Sequence, residues 1–214
     1  MKVEFIEAKY KGKISLNKKL ISALPEKIGL ITTVQFVDQI DNIKKILEKN
    51  KIKCFIEKGN QKYKAQILGC DISAADKIKS KVDAFLYIGT GEFHPIAVAE
   101  KTGKKVISYN PVTKHFYDIK LEVTEKIKKK RKGAYLKFLS SENIGVLVST
   151  KPGQQAFKKA FELKKRFKDK HFYIFAFDTL DPVQMENFPF IEAWVNTACP
   201  RISDNKNIIN IDEI

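Results

Sequence analysis

The sequence predicts an α/β protein with two similar three-layer domains, each with a small parallel sheet flanked by helices. Three observations support this class: short β-branched runs alternate with amphipathic stretches, the two halves of the chain resemble each other, and 43% of the residues are hydrophobic. A chain of 214 residues with this composition is large enough for one or two packed cores. The predicted domains are residues 1–112 and 113–214.

The first half begins with an apolar run, residues 28–33, that is typical of a buried strand. The apolar residues that follow, among them Val37, Ile40 and Leu47, have helical spacing. The alternation then continues and predicts parallel units with helices covering both faces of the sheet. The predicted strands are residues 28–33, 51–57, 65–68, 84–88 and 106–109, and the predicted helices are residues 37–50, 73–81 and 95–101.

Asn110 and Pro111 interrupt this pattern, and a basic helix then leads into a second series. The predicted strands of this series are residues 144–149, 172–177, 193–196 and 208–211, and residues 155–169 form its predicted helix.

The two series are similar in detail. Ile28-Gly29-Leu30 corresponds to Ile144-Gly145-Val146, and Asp83-Ala84-Phe85 corresponds to Glu192-Ala193-Trp194 at an offset of 109 residues. Parallel strands can resemble each other by chance, and this is the alternative to two copies of one α/β unit. We favour the two copies.

The net charge of +15 comes from 40 basic and 25 acidic residues, and all but three of the basic residues are lysines. Nucleic-acid-binding proteins favour arginine for bidentate contacts with phosphate and guanine. We therefore expect a solvated lysine surface and no nucleic-acid partner, with a polyanion-binding face as the alternative. The densest basic runs are residues 126–132 and 158–170, and the second has the spacing of an amphipathic helix.

Several features argue against a membrane or secreted protein. No run approaches the roughly 18 apolar residues of a membrane-spanning helix. Glu4 and Glu7 lie where a signal peptide would be apolar, and three cysteines cannot form a disulfide framework. We expect no membrane association and a cytoplasmic location.

Ligands of parallel sheets bind beyond the carboxyl ends of the strands. The segments that follow the predicted strands here are rich in residues that donate hydrogen bonds to anions, such as Thr, Gln, Lys and Gly. Neither Gly89-Thr90-Gly91 nor residues 150–154 match a dinucleotide fingerprint or a P-loop. Each segment alone is as typical of a turn as of a site, but together they indicate a ligand-binding edge. His94 is either part of this site or a cap of the helix that Pro95 opens.

The three cysteines differ in context. Cys54 lies within an alternating strand pattern, which predicts a small buried hydrophobic residue. Cys70 and Cys199 both follow predicted strands, but their spacing alone does not predict a shared metal and excludes the usual zinc motifs. No Ser-His-Asp or paired-carboxylate motif accompanies them.

Four motifs appear in a characteristic order along nearly the whole chain: Leu68-Gly69-Cys70-Asp71, residues 87–95 (YIGTGEFHP), residues 150–154 (TKPGQ) and residues 196–202 (NTACPRI). Together they resemble the diphthamide-synthesis radical enzymes, the 2-(3-amino-3-carboxypropyl)histidine synthases. The resemblance implies a 4Fe–4S cluster held by three cysteines, one from each of three similar α/β domains. It also implies that S-adenosylmethionine is the substrate, cleaved to a 3-amino-3-carboxypropyl radical that is added to a histidine of translation elongation factor 2.

Residue by residue, the resemblance makes Cys70 and Cys199 ligands of the cluster, and thiolates suit such a role. The catalytic residues stay unassigned. The strand-end segments become candidates for binding S-adenosylmethionine, and the residues singled out are Thr33, Gln35, Gly89, Gly91, His94, Lys151, Gly153, Gln154, Asn196 and Arg201.

The sequence also departs from the family pattern. From the resemblance we expect the first domain with its own cysteine motif to be missing, because residue 1 lies about where the linker into the second domain would be. Cys54 matches no family ligand, and Phe36 stands where relatives tend to have His. The third cysteine ligand is therefore expected from another chain.

Three interpretations remain open. The chain is one part of a split enzyme whose first domain is a separate protein, or a non-catalytic subunit that assists a full-length paralogue. The third is a binding module whose lysine surface contacts ribosomal RNA or the elongation factor. Since family members work as homo- or heterodimers, either dimer is expected. We favour the split enzyme because Cys70 and Cys199 are both retained within their motifs.

Overall fold

The structure of the chain is a computed structural model that describes residues 4–204 and 208–214. It confirms the predicted α/β class, with two sheets flanked by helices. The chain divides into two compact units between Thr124 and Glu125, whereas the sequence pattern placed the boundary after residue 112. We call residues 4–124 the first unit and the described residues from 125 onward the second unit.

The first unit contains a five-stranded sheet with the order β2-β1-β3-β4-β5. Strands β1 to β4 are parallel, and β5 runs antiparallel to β4. The strands are β1 (Lys27–Thr32), β2 (Lys53–Phe55), β3 (Ala84–Ile88), β4 (Lys105–Tyr109) and β5 (Phe116–Asp118). The α-helices are α1 (Lys18–Ala23), α2 (Ile40–Lys49), α3 (Ser73–Asp76) and α4 (Phe93–Thr102), and a 3-10 helix, Val34–Gln39, precedes α2.

Helices cover both faces of this sheet. Leu20 of α1 and Ile43 of α2 pack with Leu30 and its neighbours on one face. Ala75 of α3 and Val98 of α4 belong to the apolar cluster on the other face. Successive strand residues point to opposite faces, so buried β1 and β3 supply both clusters and read as continuous apolar runs.

The second unit contains a parallel sheet with the order β7-β6-β8-β9. Its elements are α5 (Leu121–Ser140, of which residues from Glu125 onward belong to this unit), β6 (Asn143–Ser149), α6 (Phe157–Arg166), β7 (His171–Phe177), β8 (Ala193–Asn196) and β9 (Ile208–Asn210). Phe138 of α5 and Leu163 of α6 pack on one face. The opposite face, around Trp194, is covered by Leu180 and Phe188 of the loop after β7 and by Met185 of its 3-10 helix, Pro182–Asn187. The three layers of this unit are thus built with fewer helices than the first unit has.

The internal similarity of the sequence corresponds to equivalent pairings in the two sheets. Gly29 of β1 lies opposite Phe85 of β3, and Gly145 of β6 lies opposite Trp194 of β8. A Cβ atom on Gly29 would lie 2.6 Å from the Phe85 ring, and one on Gly145 would lie 2.4 Å from the Trp194 ring. Each glycine therefore makes room for the aromatic side chain of the neighbouring strand.

The acidic residue of each repeat also has an equivalent role. The carboxylate of Asp83 accepts a hydrogen bond from the backbone N–H of Lys27 at 3.2 Å. The carboxylate of Glu192 accepts from the N–H groups of Glu142 and Asn143 at 2.7 and 2.8 Å. These backbone hydrogen bonds hold the pKa of Glu192 below its usual value. Each carboxylate thus ties its own strand to the start of the neighbouring one.

Some predicted elements differ from the structure. Residues 65–68 form a single parallel bridge, Thr32 with Gln66, instead of a strand, since Ala65 has a φ of 60° that interrupts extended backbone. The predicted helix at 73–81 continues as an α-helix only through Asp76. The antiparallel strand β5 was not predicted.

Candidate functional site

The carboxyl ends of the strands in the first sheet lie in register. Thr32, Ile88 and Tyr109 are partners across β1, β3 and β4, so the chain leaves all three strands at the same edge. The bridge between Thr32 and Gln66 brings the segment that leads to Cys70 to this edge as well. The predicted site segments around Thr33, Gly89 and Cys70 thus share one edge of the first sheet.

Cys70 lies at the tip of a tight turn. The backbone groups of Leu68 and Asp71 exchange two hydrogen bonds, 2.8 and 3.1 Å long, across Gly69 and Cys70. The ring of Phe93, the first residue of α4, covers Gly69 so closely that a Cβ atom there would lie 1.8 Å from it. The turn is therefore pressed against the start of α4, and the Cys70 side chain is exposed.

Asp71 fastens this turn to the rest of the first unit. Its carboxylate accepts hydrogen bonds from the Gln61 amide at 2.7 Å and from the Ser73 backbone N–H at 3.0 Å. Partial burial raises the pKa of the Asp71 carboxyl, but these hydrogen bonds lower it by more, and the net shift is downward. Asp71 therefore stays ionised and keeps the Cys70 turn in place.

His94 lies in the first turn of α4, and Glu92 occupies the N-cap position. The alternative interpretation of the sequence, in which His94 caps this helix, is therefore wrong. Its ring stacks on that of Tyr87, with centroids 6.1 Å apart and an angle of 17° between the planes. Gly91 precedes it with a φ of 76°, which favours glycine in the loop between β3 and α4.

The Thr33–Gln35 segment is held by the N-terminal part of the first unit. The backbone carbonyl of Gln35 accepts a hydrogen bond from Tyr10 N–H at 2.7 Å. The rings of Tyr10 and Phe36 lie 5.4 Å apart, and Phe36 is buried. Phe36 thus belongs to the core of the first unit.

Asn196, at the end of β8, organises the loop that carries Cys199. Its buried amide donates to the Cys199 carbonyl at 2.9 Å and to Asn210 Oδ1 at 2.8 Å. Its Oδ1 accepts from the Ala198 backbone N–H at 2.9 Å. Both amide hydrogens are used within the fold, so Asn196 fixes the Cys199 loop against β9.

Two further contacts complete this loop. Thr197 Oγ1 donates to the Leu147 carbonyl at 2.8 Å, which joins the end of β8 to β6. The Ile202 N–H donates to the Cys199 carbonyl at 3.0 Å as the chain enters a 3-10 helix, Pro200–Asp204. Cys199 is partly exposed, and Arg201, two residues further on, is exposed. Hydrogen bonds made by Asn196, Thr197 and Ile202 thus hold the Cys199 loop in place.

The remaining predicted residues form the turn after β6. Lys151 N–H donates to Ser149 Oγ at 3.1 Å, and Gln154 N–H donates to the Lys151 carbonyl at 3.0 Å. Gly153 has a φ of 79°, a conformation that this turn requires. The side chains of Lys151 and Gln154 are exposed, and Lys151 Nζ lies 3.4 Å from Thr179 Oγ1. This turn lies at the carboxyl edge of the second sheet, where Cys199 also lies.

Cys54 is buried in β2, as predicted, and burial raises the pKa of its thiol to about 12. Within residues 4–204 and 208–214, no three His, Cys, Asp or Glu side chains come together as a metal-binding group. In the described part of the chain, no helix is long and apolar enough to cross a membrane.

Several residues that shape the site were not singled out from the sequence. Asp71 is part of the Leu68-Gly69-Cys70-Asp71 motif, but the sequence pattern does not indicate that its carboxylate accepts a hydrogen bond from Gln61. Asn210 and Phe93 contact the site from distant positions, and only the fold brings them there.

Together, the fold and the site define an α/β protein built from repeated units, with a cysteine in a constrained loop at the carboxyl edge of each sheet. The chain belongs to the family described as putative diphthamide synthesis protein, whose sequence model matches residues 1–207. The resemblance inferred from the four motifs is thereby confirmed.

Known relatives support this assignment. The 2-(3-amino-3-carboxypropyl)histidine synthase of Pyrococcus horikoshii is 33% identical over 186 residues, which cover 85% of this chain and 52% of that protein. The enzyme of the same name from Methanocaldococcus jannaschii is 31% identical over 205 residues, 87% of this chain and 59% of that protein. The chain thus spans between half and three fifths of the length of these two proteins.

A solved structure shows the same fold. The crystal structure of Dph2 from Pyrococcus horikoshii with a 4Fe-4S cluster matches 91% of this chain and 58% of that chain, with a TM-score of 0.78 and 32% sequence identity.

Proposed function

We propose that the chain is a component of a 2-(3-amino-3-carboxypropyl)histidine synthase and supplies two cysteine ligands, Cys70 and Cys199, to a 4Fe–4S cluster. The third thiolate comes from another chain, either a separate first-domain protein or a full-length paralogue. The substrate is S-adenosylmethionine, and the acceptor is a histidine of translation elongation factor 2, in the first step of diphthamide biosynthesis.

The observation that carries this proposal is the contrast between the cysteines. Cys70 and Cys199 each lie in a loop fixed at the carboxyl edge of its sheet and reach solvent, whereas Cys54 is buried. Accessible thiols in fixed loops suit iron–sulfur ligation. The two thiolates of this chain are therefore suitable ligands, but a cluster with three cysteine ligands needs one more. When bound, such a cluster would supply the electron that cleaves a carbon–sulfur bond of S-adenosylmethionine.

The residues of the chain itself would hold the two cysteine loops in place and would bind and orient the substrate. Asp71 and Asn196 hold the two cysteine loops in place. The exposed Lys151, Gln154 and Arg201 offer donors for the carboxylate of the substrate. The other candidates for the substrate site are Thr33, Gln35, Gly89, Gly91, His94, Gly153 and Asn196.

Anaerobic reconstitution tests the proposal. The chain is mixed with iron, sulfide and a candidate first-domain protein, and the cluster is measured by its visible absorbance and by electron paramagnetic resonance after reduction. We expect a 4Fe–4S signal that is lost in Cys70→Ala and Cys199→Ala and retained in Cys54→Ala, the matched control. A cluster unaffected by Cys70→Ala and Cys199→Ala would contradict the proposal.

The same mixture separates the split enzyme from the assisting subunit. Transfer of the 3-amino-3-carboxypropyl group from labelled S-adenosylmethionine to elongation factor 2 is expected only when both chains are present. If a full-length paralogue performs this transfer equally well with the double cysteine variant of this chain, the chain is a non-catalytic subunit.

A further inference from the structure

The positive charge of the chain is concentrated in one segment. Residues 126–170 contain 15 lysines and arginines and three acidic residues, a net charge of +12. The rest of the chain has 25 basic and 22 acidic residues, a net charge of only +3. A composition biased toward lysine throughout would spread the charge evenly, so this concentration needs a separate explanation.

The fold places this charge on one side of the second unit. Between its two basic helices, the segment forms strand β6, whose residues from Ile144 to Ser149 are buried. The charged side chains therefore lie on α5 and α6, which pack through Phe138 and Leu163 on the same face of the sheet. The rings of Phe138 and Phe167 are in contact, with centroids 5.2 Å apart, so the two helices lie close together. We call the exposed lysines of α5 and α6, together with Lys168, the basic layer.

Part of the charge is neutralised within the unit. Arg131 pairs with Glu213 at 2.9 Å, and Lys159 pairs with Asp212 at 2.8 Å. Within the part of the chain that the structure describes, several exposed lysines of the basic layer take part in no ion pair. They include Lys128, Lys129, Lys132, Lys164, Lys165 and Lys168.

Aromatic side chains are exposed within the same layer. Phe157 and Phe161 lie one turn apart on α6 and are 39% and 53% exposed, next to the lysines of that helix. A row of lysines beside exposed aromatic rings is the combination that binds single-stranded nucleic acids, with phosphates on the cations and unpaired bases on the rings. An acidic protein surface would need the lysines but not the rings.

We propose that the basic layer is a docking surface for single-stranded RNA. The helix α5 has 20 residues and is about 30 Å long, enough for the backbone of several nucleotides. Lysines bind phosphates as point charges and read no sequence, so the binding is sequence-independent. The scarcity of arginine, which argued against a sequence-specific reader, is compatible with this mode. The proposal does not depend on the cluster or on the reaction proposed above.

Filter binding of a labelled oligouridine 20-mer to the full chain, without iron, tests the proposal. Four or five neutralised phosphates give a slope of log affinity against log salt of about −3, because each contact to a single strand contributes about −0.7. In the triple variant Lys128→Gln, Lys129→Gln, Lys132→Gln, the slope is expected to become shallower by about 2. The variant Lys19→Gln, Lys45→Gln, Lys49→Gln removes the same charge from exposed sites of the first unit and is expected to leave the slope unchanged.

The aromatic contribution is tested separately. Phe161→Ala is expected to weaken binding of the oligomer about tenfold by loss of stacking, and Phe161→Tyr is expected to retain it. Circular dichroism verifies that each variant is folded. The proposal is overturned if the first-unit variant lowers the slope as much as the α5 variant. It is also overturned if polyglutamate of equal charge competes as well as the RNA while Phe161→Ala has no effect, because the partner would then be an acidic protein.

Discussion

Cys54, Cys70 and Cys199 have the same side chain but lie in very different surroundings. Burial in β2 favours the neutral thiol of Cys54, whose pKa is raised to about 12, whereas Cys70 is exposed and Cys199 is partly exposed. The sequence was sufficient to predict this difference, because an alternating strand pattern surrounds Cys54 and strand ends precede the other two. The position within a strand thus decides which thiol can react.

Alkylation measures this difference directly. With iodoacetamide at about pH 8, mass spectrometry is expected to show labelling of Cys70 and Cys199 in the native chain, and of Cys54 only after denaturation. The Cys54→Ala variant should show the same two labelled sites. Rapid native labelling of Cys54 would contradict its buried position.

Asp71 gives the Cys70 turn a pH dependence. The folded state lowers the pKa of this carboxyl, so its contribution to stability is present above the unfolded value, near 4, and is lost as the pH falls through the folded value. We expect Asp71→Asn to lower the free energy of unfolding by about 1 kcal/mol at pH 7. In urea unfolding, the difference from the wild type should shrink as the pH falls below about 4. A difference that stays constant down to strongly acidic pH would show that the charge has no role.

At the scale of elements, the sequence predicted most strands and helices because buried parallel strands are continuous apolar runs. The failures are local. Residues 65–68 have the composition of a strand, but Ala65 has a positive φ and only one bridge, between Gln66 and Thr32, joins this segment to the sheet. Both features depend on tertiary contacts that the local sequence does not show. Phe116–Asp118 is too short to show a periodic pattern, and its pairing with β4 defines it as a strand. Likewise, the Asn196–Asn210 contact depends on the neighbouring position of β8 and β9.

The glycine–aromatic pair of each sheet can be tested by substitution. Gly145→Ala places a methyl group against Trp194 and should destabilise the chain by about 2 kcal/mol, and Gly29→Ala should act in the same way against Phe85. Replacing Trp194 by Leu in the Gly145→Ala background should recover part of the loss. Gly133→Ala is the control, because nothing lies within 4 Å of its Cβ position in α5, and it should stabilise by about 0.5 to 1 kcal/mol. Equal effects at positions 133 and 145 would contradict the close packing.

At the scale of the whole molecule, the distribution of charge matters more than its sum. Of the net charge of +15, +12 lies in residues 126–170, and the fold places this segment in the second unit, mostly on α5 and α6. Like charges on α5 and α6 repel one another, and this repulsion opposes the folded state. The ion pairs with Asp212 and Glu213 offset part of it.

Salt is therefore expected to stabilise the chain. Raising sodium chloride from about 20 to about 300 mM shortens the range of the repulsion and should raise Tm by about 2 °C. The α5 variant with Lys128, Lys129 and Lys132 changed to Gln should gain less, and the first-unit variant should behave like the wild type. A Tm that falls with salt would show that attractive ion pairs outweigh the repulsion. Potassium chloride is the control for an effect specific to the cation.

Trp194 is the single tryptophan of the chain, and it lies on the strand that leads into the Cys199 loop. It is 7% exposed and packed over Gly145 and Phe175. Its fluorescence therefore originates in the second unit alone, five residues before the cysteine. An iron–sulfur chromophore absorbs where tryptophan emits. Metal loading at Cys199 would therefore be measured as quenching of the intrinsic fluorescence of Trp194, without any added label.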